Sequence, residues 1–275
     1  MKESSKISAY IRKKRTEVIL FSNAKINIGL QIKGKRHDSY HNLESIFYPI
    51  PFYDLIEIQE ADSDQFSQSG IEINPLDNLI TKTVDLLRRD FDFPHIHLHL
   101  NKRIPLGSGL GGGSSNATAT LKGLNELFNL DIKKDKMLDY ALTLGSDCPF
   151  FVENQVAYVS GRGENISPID FNLKGKFLHL IYPGIHISTA EAFSSMDRSI
   201  STHLDFKDTS NWMNFKNDFE FGAVESHTKI GILLSHLKKT GAMYSSLSGT
   251  GSSIYGIYNE KPQLIDGLDN WALEL

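Results

Sequence analysis

Alternation and helical spacing divide the chain into short elements. Residues 18–21 are apolar, and Ile26, Ile28 and Leu30 then alternate with Asn27 and Gly29. A first strand therefore begins at 18–21 and continues through Leu30 with one polar side. Lys25 stands at the entry to the alternating stretch, by default a solvated edge position. Residues 46–58 read as a strand interrupted by Pro49 and Pro51, which cannot donate to a ladder, and residues 62–70 as a polar loop. Residues 78–89 are helical, with Ile80, Val84 and Leu87 on one face. Residues 95–100 alternate strictly, setting His95, His97 and His99 on one side of a strand. Metal sites usually draw on more than one element, so a wet sheet face is the expectation there.

After a helix over 136–144 ended by Gly145, Asp147 is expected in a tight, extended turn ahead of Pro149. Cys148 has no base partner nearby in sequence that would make it a nucleophile. Residues 156–160 alternate again up to Gly161-Arg162-Gly163, where a domain boundary is expected. A strand at 177–182, a helix from about Asn217 carrying Ile230, Leu233, Leu234 and Leu237, and strands at 244–247 and 253–258 complete the pattern. The last two flank Ser248-Gly249-Thr250-Gly251.

One stretch fits none of these periods. From Gly107 to Gly113 five of seven residues are glycine, and a helical spacing follows at Ala117, Leu121, Leu124 and Phe128. Ser114, Ser115 and Asn116 stand where a capping oxygen is wanted. A glycine loop feeding a helix start aims free N–H groups and the positive helix end at one point, which suits phosphate. A β-branched side chain at Gly112 is expected to block that approach. No lysine lies between Arg103 and Lys122, so this is not a Walker A loop. Gly107, Gly109 and Gly112 satisfy G-x-G-x-x-G, but residues 125–131 hold no second strand ending in an acid, as a dinucleotide fold requires. A plain structural turn is the bland alternative. A phosphate cradle of a third kind is the expectation.

Composition adds exclusions. The 275 residues are 40% hydrophobic and 23% charged, ordinary for a globular chain with a sizeable core. With 29 basic and 33 acidic residues the net charge is -4, which indicates neither nucleic acid nor membrane as partner. There is no apolar run long enough to span a bilayer. One cysteine excludes an internal disulfide framework and fits a reducing cytoplasm. Residues 1–16 are strongly basic without an apolar core behind the charges, a solvated tail rather than a secretory signal, with a transit peptide as the alternative.

Ile104-Pro105-Leu106-Gly107-Ser108-Gly109-Leu110-Gly111-Gly112-Gly113-Ser114-Ser115 resembles the phosphate loop of the GHMP small-molecule kinases. Asn23-Ala24-Lys25-Ile26-Asn27 and Leu247-Ser248-Gly249-Thr250-Gly251 resemble their first and third motifs, in the right order. Residues 37–41, 144–149 and 217–220 (Asn-Asp-Phe-Glu) are similar to the 4-diphosphocytidyl-2-C-methyl-D-erythritol kinases within that superfamily. The resemblance runs from about residue 18 to 258. It implies an α+β, two-domain GHMP kinase fold, with an ATP-binding domain over 17–160, a C-terminal domain over 161–275 and the active site in the cleft between them.

It further implies an ATP-dependent kinase of the non-mevalonate isoprenoid pathway, acting on the 2-hydroxyl of a cytidine-diphosphate-linked methylerythritol. The implied catalytic residues are Lys25 and Asp147. The ATP loop falls on Pro105 to Ser115. The substrate side falls on Asn27, Tyr40, His41 and, as a cytosine-stacking aromatic, Phe193. Ser39 and Ser188 depart from the family pattern, which usually has glycine and proline there. Phosphoryl transfer asks for positioning, charge neutralisation and a carboxylate at the attacking hydroxyl, so Asp147 suits the base and Lys25 the charge. Mg²⁺ is implied as the phosphates' counterion, with Ser115 the only protein oxygen nominated for it. The rivals are another kinase of the superfamily, acting on mevalonate derivatives or homoserine, and a nucleotide-binding protein without catalysis. Oligomeric state is not written in the sequence.

Overall fold

The computed structural model describes residues 12–14, 16–35, 37, 41–74, 78–196 and 204–275. The chain forms two compact units. The first takes the chain up to Ala24 together with Phe52–Leu106 and Gly111–Gln155; the second takes Lys25–Pro51, Gly107–Leu110 and Val156–Leu275.

In the first unit β1 (Arg12–Lys14) pairs antiparallel with the start of β2 (Glu17–Lys35). The end of β3 (His41–Glu60) runs antiparallel to β5 (Ile96–Lys102), and β4 (Gln65–Gly70) lies parallel to β5. Among the described residues this unit holds the helices α1 (Leu79–Arg88), α2 (Gly112–Leu127), α3 (Lys134–Leu144) and α4 (Cys148–Glu153). Their apolar faces and the strands bury Leu20, Ile56, Ile58, Ile80, Leu98, Leu121, Leu124 and Met137 together. That burial supplies the main driving force for the unit.

A buried ion pair anchors the strand ends of this unit. Asp54, with no exposure, accepts Lys102 Nζ at 2.5 Å and the N–H groups of Arg103 and Ile104 at 2.7 and 2.8 Å. Burial pushes the Lys102 ammonium's pKa down, and the Asp54 carboxylate works against that shift. Removing one partner of such a pair leaves an uncompensated charge, typically worth about 3–5 kcal/mol. Asp54→Asn is therefore expected to lower unfolding stability by about that amount in urea titrations. A loss below about 1 kcal/mol would show that water or another group reaches Lys102.

In the second unit the start of β3 pairs with β6 (Ala157–Gly161), which pairs with β7 (Asn165–Pro168). A separate antiparallel sheet runs in the order β11 (Asp269–Glu274), β8 (Phe177–Tyr182), β10 (Ile254–Tyr258), β9 (Tyr244–Leu247). Helices α5 (Thr189–Ser194), α6 (Phe219–Ser226) and α7 (Thr228–Lys239) accompany it, and Leu30, Ile181, Ile230, Leu234, Leu247 and Ile254 share its core.

Several sequence expectations are corrected. Within the single strand β2, Lys25 is not a solvated edge residue: it sits mid-strand at 3% exposure. The prolines do not interrupt β3. They fall between its pairing with β6 (Leu43–Phe47) and with β5 (Leu55–Glu60), where neither ladder needs their N–H. The polar loop at 62–70 holds β4, whose polar sequence suits an edge position. Ser67 bonds His97 and His99, and Ser69 bonds His99. The helix expected from Asn217 is two, α6 and α7, parted at His227. Strand β11 and helix α5 were not signalled by periodicity at all.

Candidate functional site

The loop from Pro105 leads into α2 through Gly111, which adopts the left-handed conformation (φ 70°) as the helix's N-cap. Ser114, Ser115 and Asn116 are not the cap. They lie inside the first turns, and the glycine N-cap supplies no side-chain cap bond. No acidic residue occupies the first turn either. The first intrahelical bond here runs from Ser115 N–H to Gly111 O, so the leading N–H groups have no acceptor within the helix. Their summed dipole favours an anion. Gly112, unlike Gly111, needs no left-handed backbone. A side chain there would instead meet Ile104 Cγ2 at 2.8 Å and Lys102 Nζ at 3.1 Å, so a valine at this position disturbs packing beneath the loop rather than its backbone angles.

Ser22 Oγ lies 2.7 Å from Ser115 Oγ and 2.8 Å from Asn116 Oδ1. Ser22 donates to both oxygens, which share its one proton.

Asp147 is not in an extended turn. It adopts helical angles (φ −86°, ψ −13°) as the N-cap of α4, with Pro149 in that helix's first turn and no side-chain cap bond. Thr118 of α2 reaches the carbonyl of Cys148 at 2.9 Å, so α2 pins the turn that carries Asp147. Burial pushes the Cys148 thiol up to about 11, which leaves it a protonated packing residue. Within the first unit, then, the start of α2 and the Asp147 turn are held together.

In the second unit Lys25 Nζ donates to Asn27 Oδ1 at 2.6 Å and lies 4.4 Å from the centroid of the Phe47 ring. Its backbone N–H holds the Leu110 carbonyl at 2.9 Å. Asn27 donates its amide to Ser45 Oγ at 3.0 Å, and its carbonyl accepts the hydroxyl of fully buried Tyr255 at 2.6 Å. The third glycine stretch meets the phosphate loop directly. Ser248 Oγ donates to Gly109 O at 2.9 Å, and Ser253 N–H donates to Ser108 O at 3.1 Å.

Of the substrate-side residues, His41 stacks on Phe193 with centroids 4.4 Å apart and planes 18° apart, and Phe193 meets Phe219 edge-on at 4.9 Å. Phe193 rides on α5, whose N-cap is Ser188: its hydroxyl accepts Glu191 N–H at 3.1 Å. Serine is thus a working residue at that departure from the family pattern. Tyr40 and Ser39 lie outside the described residues. Sequence reasoning missed Ser45, Phe47 and Tyr255, because a buried hydroxyl or ring that orients another residue leaves no local pattern.

Among the described residues no helix is long and apolar enough to cross a membrane. Residues 78–155 match the family model for the GHMP kinases N terminal domain. Two curated relatives, each a 4-diphosphocytidyl-2-C-methyl-D-erythritol kinase, are similar over most of the chain. That of Porphyromonas gingivalis is 41% identical over 90% of this chain and 94% of its own. That of Bacteroides thetaiotaomicron is 44% identical over the same shares. Among solved structures, a 4-(cytidine 5'-diphospho)-2C-methyl-D-erythritol kinase superposes with a TM-score of 0.78 at 23% identity, covering 93% of this chain and 98% of that one. The mevalonate kinase of Methanococcus jannaschii reaches 0.63 at 16% identity, over 98% and 99% of the two chains. These two share the α+β fold of the GHMP kinases.

Proposed function

The chain belongs to the 4-diphosphocytidyl-2-C-methyl-D-erythritol kinases, and from that premise we propose that it moves the terminal phosphoryl group of ATP to the 2-hydroxyl of the cytidine-linked methylerythritol. Such a kinase acts in the non-mevalonate route to isoprenoid precursors, and a cytoplasmic location is part of the same proposal. The observation that carries the reading is the start of α2 behind Gly111, a glycine N-cap that supplies no side-chain cap and leaves a ready anion site.

The residues divide the work. Residues 105–115 receive the ATP phosphates, with the helix end offsetting their charge. Asp147 accepts the proton of the attacking hydroxyl, and Lys25, its ammonium fixed by Asn27 and Phe47, favours the developing negative charge. Mg²⁺, when bound, would supply further charge neutralisation on the phosphates, and Ser115 is the residue that would hold it. Tyr40, His41, Phe193 and Asn27 form the substrate side, Phe193 offering a face for cytosine.

Phe193→Ala is expected to raise KM for the cytidine substrate while leaving KM for ATP unchanged. Losing a base-stacking aromatic typically costs about 1–3 kcal/mol, roughly 5- to 150-fold. Unchanged KM for both would mean that the ring only packs between His41 and Phe219. The function itself is tested by a coupled assay offering ATP with the cytidine-linked methylerythritol, mevalonate or homoserine. Turnover with mevalonate or homoserine alone would move the chain to a neighbouring kinase class. Nucleotide binding without turnover of any acceptor would make it a binding protein.

A further inference from the structure

The stretch Asn217-Asp218-Phe219-Glu220 has no part in the roles above, yet its side chains grip the third glycine stretch. Asn217 is 4% exposed. Its Nδ2 donates to the carbonyls of Leu247 at 2.9 Å and Gly249 at 2.8 Å, and its Oδ1 accepts the N–H of Phe219 at 3.0 Å. Both amide protons are spent on this one backbone segment. Glu220 Oε2 accepts the N–H of Leu247 at 3.0 Å, so Leu247 is held at both of its backbone groups. The gripping residues are themselves tied to β2. Leu30 exchanges 2.9 Å backbone bonds with Lys216 and Asp218, and Asp218 Oδ2 accepts Ile32 N–H at 2.8 Å.

What Asn217 holds is what Gly109 rests on. Ser248 lies between the two gripped carbonyls and bonds Gly109 O. A Cβ built on Gly249 would lie 3.2 Å from that same oxygen. We propose that Asn217 is a positioning residue for the nucleotide: it fixes the 247–249 backbone, and through it the 107–110 part of the phosphate loop. The inference rests on the kinase reading of that loop. The chemistry selects asparagine, because two carbonyl oxygens facing one side chain need two protons from it. An aspartate carboxylate there would face them with no proton and repel both. Protonated, it would donate to one of them.

The test is AMPPNP affinity, KM for ATP and kcat for wild type, Asn217→Ala and Asn217→Asp, each measured well below its own Tm. Both variants are expected to lose about tenfold or more in AMPPNP affinity, with KM for ATP rising more than KM for the cytidine substrate. For Asn217→Asp the ratio of its kcat/KM for ATP to the wild-type value should climb as pH falls and the new carboxyl takes up its proton. For Asn217→Ala the ratio should stay flat. Should the alanine variant fail to fold, Asn217→Ser, with one hydroxyl donor, gives the same comparison. Wild-type nucleotide affinity in the folded variants, with only Tm lowered, overturns the proposal, as does a ratio for Asn217→Asp that does not move with pH. Wild-type protein that neither binds AMPPNP nor turns over ATP fails the kinase reading itself, and the proposal with it.

Discussion

Asp147→Asn is expected to lower kcat by about 10²–10⁴-fold, the usual worth of general-base assistance, while KM for both substrates stays nearly constant. Asparagine keeps the size of the side chain but cannot take the hydroxyl's proton. The fold should tolerate it. Asp147 makes no cap bond to α4, and Thr118 holds the turn through the Cys148 carbonyl. Lys25→Ala is expected to fall similarly in kcat, and the double variant by much less than the product, because groups that act on one transition state do not lose independently. Steady-state kinetics on the three variants, with Tm recorded for each, decide it. Near wild-type kcat in Asp147→Asn would mean that the hydroxyl needs no base and that positioning and Lys25 suffice.

Gly109→Ala is expected to damage nucleotide use more than any other single methyl group in the loop. Gly109 has a φ of +75°, which costs an L-residue about 1–2 kcal/mol. A Cβ there would also lie 1.9 Å from the carbonyl oxygen of Ser248. Relieving that clash requires roughly 1.5 Å of backbone movement, and misplacement on the order of 1 Å in a binding constellation costs about 10²-fold in rate. KM for ATP should rise and kcat fall together. Gly113→Ala is the steric control: its Cβ would meet only Leu79 Cδ1 at 3.8 Å, and alanine favours the helix. Its Tm should match or exceed wild type, while that of Gly109→Ala falls. Equal Tm and equal KM for ATP in the two variants would show that the 248 backbone gives way freely.

Much of the site was written locally. Glycine density from Gly107 to Gly113 and the helical spacing behind it were enough to expect a phosphate cradle at a helix start, because backbone conformation and helix polarity are properties of neighbouring residues. The same holds for Asn78 at the head of α1 and Gly145 at the end of α3. The resemblance of three ordered motifs named the family before any contact was known.

What failed was whatever depends on a distant partner. Lys25 looked like a solvated edge residue because nothing near it in sequence reveals that Asn27, Phe47 and Leu110 would enclose it. Strand β4 looked like a loop because a polar edge strand takes its order from β5, thirty residues on. The prolines of β3 looked like breaks because only the registers with β5 and β6 show where no N–H is required. Asn217 was visible as part of a motif but silent about its purpose, which two carbonyls some thirty residues away supply. Conformational preference and periodicity act over a few residues, so sequence alone determined the strongly periodic elements and the phosphate loop. Burial and hydrogen-bond satisfaction act between residues brought together by folding, so only the tertiary structure decided which side chains are held in place and by what.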